Sequence, residues 1–351
     1  MSFLFIGSTG NHAGMSLLTW AIARRLMERG LNVGFMKPFG THPVRIHGVW
    51  TDQDAFLLKE ALNLQDPPER ICPNLVSENG WREKDKEVIV EELRILAQEL
   101  SSKKDILLIM GTQHIFFDES FCPVPDTSLI NALQSDTILV NRFQQPSTSL
   151  YSILSVSSLL KERLKGVLLN RVSPEMLEGI TNQTIPSLSK KGIPIMTAVP
   201  EDPVLSFQTL GDIKETLDGK ILCEEESLGK PIGGMTVSSA DLEGELRIFS
   251  RVYNKIVLLE PSPPDTETGA APRAVSGILL TGGRTPPPQA VTACEQARVP
   301  LILVKEDTFS AQERLEQHPP RLSPRDENKV HHFTEFLDRN GALDNLLQSL
   351  P

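Results

Sequence analysis

From residue 1 to about 222, short apolar runs alternate with stretches of helical periodicity. The runs are FLFIG, NVGFMKP, DILLIMG, DTILVNRF, KGVLLNRV and IPIMTAVPED. Most are apolar almost without interruption. A strand open to water on one face alternates, whereas runs this continuous belong to strands covered on both faces. Between them, DAFLLKEALNL, EVIVEELRILAQELSS, LYSILSVSSLLKERL and PSLSKKG read as helices or helix ends. The alternation predicts an α/β fold: a doubly wound, mostly parallel sheet with crossover helices on its faces. Ligands of such sheets collect beyond the carboxyl ends of the strands, so chemistry is sought just after each run.

The first such position is GSTGNHAGMS, residues 7–16, which follows FLFI and leads into the amphipathic LLTWAIARRLMERG. A glycine-rich loop between a strand and a helix lets backbone N–H groups converge on phosphate. Loops of this type normally end Gly-Lys-Ser or Gly-Lys-Thr, with the lysine reaching the β- and γ-phosphates. Here the run is Gly14-Met15-Ser16. The G-x-G-x-x-G spacing of a dinucleotide site is missing, and so is the G-x-S-x-G elbow of a serine hydrolase.

The formal net charge of −10 disfavours nucleic-acid binding, which needs a basic surface. No apolar run approaches the roughly 20 residues that span a bilayer, so no membrane association is expected. MSFLFIGSTG lacks the charged n-region of a secretory signal and is expected to form the first strand, which implies a cytoplasmic location. Cys72, Cys122, Cys223 and Cys294 are far apart, with no C-x-x-C pair, and are expected to be reduced, mostly packed thiols. His331 and His332 are adjacent rather than four apart, which suits a solvated helix surface better than a metal site.

A charge run, CEEESLGKP at 223–231, breaks the alternation and is read as a domain boundary. Beyond it come a helical SADLEGELRIFSRV, a strand KIVLLEP and a loop PSPPDTETGAAPRA at 261–274. A strand VSGILLTGG, a helix PPQAVTACEQARV and a strand PLILVKED follow. This predicts a smaller α/β domain over 223–320, with a loop and helix over 321–351.

In order and spacing, FIGSTGNHAGMS, GLNVGFMKPFG, DQDAFLLKEAL, DILLIMG, GVLLNRV and GIPIMTAVPEDPVLS resemble the dethiobiotin-synthetase-like (CobB/CobQ-like) P-loop domain. More narrowly they are similar to the version at the N-terminus of some phosphate acetyltransferases. The second segment resembles a DRTGG domain, through GGMTVSSADLEGEL, GILLTGGRTPPPQAV and VPLILVKEDTFSAQERLE. The resemblance implies a P-loop NTPase fold over 1–222, ATP or ADP with Mg²⁺ as ligands, and a homodimer. It places Gly7, Thr9, Gly10, Asn11, His12, Ala13, Gly14, Met15, Ser16 and Leu17 around the nucleotide phosphates. Ser16, Asp52 and Asp54 would help hold the metal, and Lys37 would point toward the reacting phosphates as the catalytic group. Asn170, Arg171, Pro200, Glu201 and Asp202 would line the nucleotide on its adenine side. Plain structural roles stand beside these: a surface lysine at 37, a helix N-cap at Asp52 and a turn residue at Asn170.

The sequence departs from that family at two related points. Met15 replaces the phosphate-binding lysine, and Met110 stands where relatives usually carry a glutamate for Mg²⁺. Thioether sulfur neither donates a hydrogen bond nor carries charge. Phosphoryl transfer depends almost wholly on positioned charge, so hydrolysis is expected to be impaired. In the second domain Thr281-Gly282-Gly283 is kept, while the Asp-Arg pair expected after the preceding strand is replaced by LLEPSPPDTETG. Three readings follow. The chain is a nucleotide-binding regulatory or scaffolding protein with an unnamed protein partner, an active Mg-dependent ATPase or ligase using Lys37, or a structural protein that binds no nucleotide. Acetyltransferase activity is not expected, because relatives that have it carry a further catalytic domain.

Overall fold

The structure is a computed structural model that describes residues 2–75, 85–116, 124–206, 208–238, 256–261, 275–317 and 321–349. The chain forms two compact units, residues 1–201 with 322–351, and residues 202–321.

Unit 1 is built on six strands: β1 (Ser2–Ser8), β2 (Val33–Met36), β5 (Ile106–Met110), β6 (Asp136–Arg142), β7 (Leu164–Val172) and β8 (Ile195–Pro200). They lie in the order β8-β7-β6-β1-β5-β2, every pair parallel, as the six apolar runs predict. β1 is central, with Leu4, Phe5 and Ile6 wholly buried between β5 and β6. One face of the sheet packs Phe5, Ile109, Leu139 and Val167 against α3 (Lys86–Ser101), α4 (Asp126–Leu133) and α5 (Pro146–Leu160). Each helix contributes one apolar face: Ile89, Leu93 and Ala97; Leu129, Ile130 and Leu133; Ile153, Val156 and Leu160.

Two other elements of unit 1 shape the site. After β2 the chain makes a hairpin of β3 (Pro43–Ile46) and β4 (Val49–Asp52). Its two turn residues, His47 at φ 48° and Gly48 at φ 87°, are both left-handed, as a tight right-twisted hairpin demands. The hairpin delivers Asp52 to the start of α2 (Gln53–Ala61). At the chain's far end a long helix, Glu327–Arg339, lies against α1 (Met15–Glu28). Its Val330, Phe333 and Leu337 are buried, Arg25 ion-pairs with Asp338, and Arg29 Nη1 donates to the Leu347 carbonyl at 2.9 Å. The terminal segment, set apart in the sequence reading, is therefore part of unit 1.

Unit 2 holds a six-stranded sheet: β9 (Gln208–Thr209), β10 (Lys220–Cys223), β11 (Pro231–Ser238), β12 (Ile256–Pro261), β13 (Gly277–Leu280) and β14 (Leu301–Leu303). The order is β9-β11-β12-β13-β14-β10, antiparallel except for the β13–β14 pair. Leu279 and Ile302 face α6 (Leu210–Thr216), while Ile278, Leu280 and Leu301 face α7 (Pro288–Ala297). A capping box between Thr209 and Asp212 starts α6. The charge run at 223–231 lies inside this unit, as the turn from β10 to β11. The predicted helix SADLEGELRIFSRV, Cys122 and all but the first residue of the 261–274 loop fall outside the described residues. Cys72 and Cys294 are buried and Cys223 is half-buried, all three as free thiols. His331 is exposed and pairs with Glu335 along its helix.

Candidate functional site

Because β1 is central, its carboxyl end opens onto the middle of the sheet edge, and the 7–16 loop lies there. The loop is fastened at several points. Ser8 Oγ donates to the Gly10 carbonyl at 2.7 Å and accepts from Gly10 N at 3.1 Å. Thr9 N donates to the Val140 carbonyl, and Asn141 Nδ2 donates to Thr9 Oγ1 at 2.7 Å. Asn170 Nδ2 donates to the Ala13 carbonyl at 2.6 Å. Gly14 follows at φ 99°, and a Cβ there would stand 2.4 Å from Asn170 Nδ2. Glycine is required on both counts, left-handed backbone and close approach. Gly14 is also the N-cap of α1, which has no side-chain cap and no acidic residue in its first turn. The helix thus keeps the positive end of its dipole open toward the loop. Asn11 and His12 are exposed at the tip, while Met15, Ser16 and Leu17 are half-buried.

Beside the loop sits a chain of charged side chains. Ser16 Oγ donates to Asp54 Oδ1 at 2.7 Å. Lys37 Nζ donates to Asp54 Oδ2 at 2.6 Å and to Asp52 Oδ1 at 2.7 Å. Lys37 is 3% exposed and Asp52 0%, while Asp54 keeps 20% of its side chain open. Burial alone would push the lysine down, but Asp54 and Asp52 hold it protonated, above its ordinary range. Burial would likewise raise Asp54, and Lys37 and Ser16 overcome this and hold it low, ionised. Asp52 caps α2 through the N–H groups of Asp54 and Ala55, and its other oxygen accepts from His42 N at 2.9 Å. Gly40 permits this packing, since a Cβ there would meet Asp52 Cβ at 2.6 Å and Cys72 Sγ at 2.7 Å. Burial, with Asp52 adding to it, pushes the Cys72 thiol up to about 12.

The sequence-predicted residues fall into groups. The 7–16 loop, Lys37, Asp52 and Asp54 are joined through Ser16, and Asn170 joins the loop from β7. Arg171 follows at φ 55°, and its charge senses Arg142 and Glu201. Pro200 ends β8, and Glu201 N donates to the Val172 carbonyl. Asp202 begins unit 2, where its carboxylate accepts from Val204 N at 2.8 Å. Met110 is 1% exposed inside the sheet.

Four neighbours escaped the sequence reading. His42 brings its ring to Gln113 at 3.2 Å, bridging the segments after β2 and β5. Asp126, at the start of α4, accepts from Thr112 N at 2.9 Å, and its other oxygen is buried with no partner among the described residues. Asn141 and Arg142 end β6, and Asn170 and Arg171 stand just before Val172, the last residue of β7. The Asn-Arg dipeptide closing two successive apolar runs was the available signal.

A parallel sheet with a glycine-rich loop joining its central strand to a helix defines a P-loop domain. Residues 3–209 match the AAA domain family, to which the chain therefore belongs, and residues 212–318 match the DRTGG domain. A phosphate acetyltransferase from Deinococcus radiodurans is 22% identical, over 96% of this chain and 49% of its own length. The chain thus spans about half the length of the phosphate acetyltransferases it matches. An ATP-dependent dethiobiotin synthetase BioD from Thermodesulfovibrio yellowstonii is 26% identical, over 59% of this chain and 92% of its own. Among solved structures, the MinD cell division protein of Aquifex aeolicus is 17% identical with a TM-score of 0.37, covering 58% of this chain and 84% of its own.

Proposed function

We propose that the P-loop unit binds a nucleotide for a regulatory or scaffolding purpose and that its ATP hydrolysis is impaired. The observation that carries this is the state of Lys37. With Met15 uncharged, Lys37 is the lysine left to meet a γ-phosphate, and it is spent on two carboxylates. A ligand would have to separate a buried ion pair to recruit it, which costs several kcal/mol in an environment this dry, roughly 3–5 when one partner is removed outright. The loop amides and the open N-terminus of α1 need no such rearrangement and suffice for the α- and β-phosphates of ADP.

Mg²⁺ fits this site only in part. Ser16 Oγ and the Asp54 carboxylate are hard oxygen donors of the kind Mg²⁺ takes, and they would hold it. Asp52 is committed to a helix cap, a backbone N–H and Lys37, and Met110 brings no oxygen. When bound, the ion would offset phosphate charge. Soluble cytoplasmic residence and homodimerisation belong to the same proposal.

One observation favours an active enzyme instead: Ser16, Asp54 and Lys37 are contiguous. The Met15→Lys/Met110→Glu double substitution separates the readings. Restoring both groups is expected to raise ATP hydrolysis by an order of magnitude or more, about the effect of one well-placed charge. Hydrolysis no faster than wild type would show that these groups are not the deficit.

A further inference from the structure

The edge of the sheet carries two arginines: Arg171, which the P-loop reading sets on the adenine side with no chemical task, and Arg142, which that reading does not use. β6 and β7 are parallel neighbours in a register that sets Arg142 opposite Asn170, so Arg171 stands one residue further out on the adjoining strand. Both are anchored to the phosphate loop through the residues preceding them. Asn141 donates to Thr9 and Asn170 donates to Ala13. Arg171 is turned by a left-handed φ of 55°, an uncommon conformation for a residue with a side chain. Its own N–H donates to Asn170 Oδ1 at 3.0 Å, which fixes that turn. Arg142 Nη2 and Nε lie 3.2 and 3.3 Å from the side-chain amide of Gln144.

The two guanidinium groups are poorly compensated. Among the described residues, no carboxylate closes a salt bridge on either one. Burial and the neighbouring Arg142 charge both lower Arg171, and Glu201 offsets this only in part. Two like charges on a half-buried edge, with one carboxylate at longer range, leave a surplus of positive charge that an anion would relieve. The loop itself lacks a lysine. Positive charge on this edge is thus displaced from the γ-phosphate position toward the strands on the other side of the loop.

We propose that Arg142 and Arg171 form a second phosphate subsite, one that takes a phosphate carried on the ribose of a nucleotide whose 5′-phosphates lie on the 7–16 loop. The proposal rests on the nucleotide reading above. Its chemistry is that of an arginine meeting a ribose phosphate at the end of a parallel strand, a task guanidinium performs with its planar fork of donors. A ribose phosphate occurs at the 2′ or the 3′ oxygen, and the shared feature is a dianion one sugar away from the 5′-phosphate.

The test is calorimetric titration of the full chain with AMP, adenosine 2′,5′-bisphosphate and adenosine 3′,5′-bisphosphate, with ADP as a reference. One bisphosphate is expected to bind at least about tenfold more tightly than AMP, as a charge-assisted contact to phosphate requires. Which isomer gains identifies the oxygen. In the Arg142→Gln/Arg171→Gln double variant that difference is expected to vanish. The Arg142→Lys/Arg171→Lys variant, which keeps the charge and loses the fork, is expected to retain part of it. Equal binding of AMP and both bisphosphates to the wild-type chain, or a preference that survives in the glutamine variant, would overturn the subsite while leaving the nucleotide reading in place. Failure of all four ligands to bind would overturn both.

Discussion

Asp126 shows how a single side chain can record the environment of a whole loop. It is fully buried, one oxygen held by the Thr112 N–H and hydroxyl, the other with no partner among the described residues. Burial pushes its carboxyl up to about 7, against the two Thr112 hydrogen bonds that pull it down. The folded state therefore keeps a proton that the unfolded chain gives up near pH 4. Stability is complete below that pH and falls as pH rises toward 7, because the unfolded chain binds fewer protons throughout that window. Asp126→Asn removes the ionisation and keeps the acceptor for Thr112. Thermal melting is expected to show the variant more stable than wild type at about pH 8 and equal to it at about pH 3. A variant equally destabilised at both values would contradict the burial argument. Gly14 is the complementary case. Its place in the glycine-rich loop was readable from the glycine pattern, but its need to clear the Asn170 amide was not, since the two are brought together only where β7 meets the loop.

The elements read most reliably were those whose burial is two-sided. Six continuous apolar runs became six parallel strands of one sheet, because continuity reports cover on both faces whatever supplies it. Elements with weaker periodicity were missed. The β3–β4 hairpin turns on His47 and Gly48 rather than on Asn-Gly, and α4 is only eight residues long. The glutamates after Cys223 suggested a boundary on composition, yet they only form the exposed turn between β10 and β11. Helix Glu327–Arg339 was legible as a helix, but the surface that receives its apolar stripe, α1, lies at the opposite end of the sequence. That packing is testable. Phe333 is wholly buried, and Phe333→Ala is expected to cost about 3–5 kcal/mol by removing a large aromatic from a closed interior. Urea denaturation of the full chain should show the loss in unit 1. A loss within a few tenths of a kcal/mol would mean that the helix does not pack there.

At the scale of the molecule, an AAA domain and a DRTGG domain share one chain. The Ser16–Asp54–Lys37–Asp52 chain stands beside the glycine-rich loop, next to Met15 at the helix start, while Met110 is buried within the sheet. Lys37, Asp52 and Asp54 were each named from the sequence, but their mutual saturation was not, because only the β3–β4 hairpin brings Asp52 back onto Lys37. That saturation is the centre of the account. The most direct test is calorimetric titration of the purified chain with ATP and with ADP, each with and without Mg²⁺. Binding that is indifferent to Mg²⁺, with ADP held at least as tightly as ATP, is the expected result. ATP binding that strengthens with Mg²⁺ and exceeds that of ADP would mean that Lys37 and the carboxylates do open to a γ-phosphate, and would contradict it.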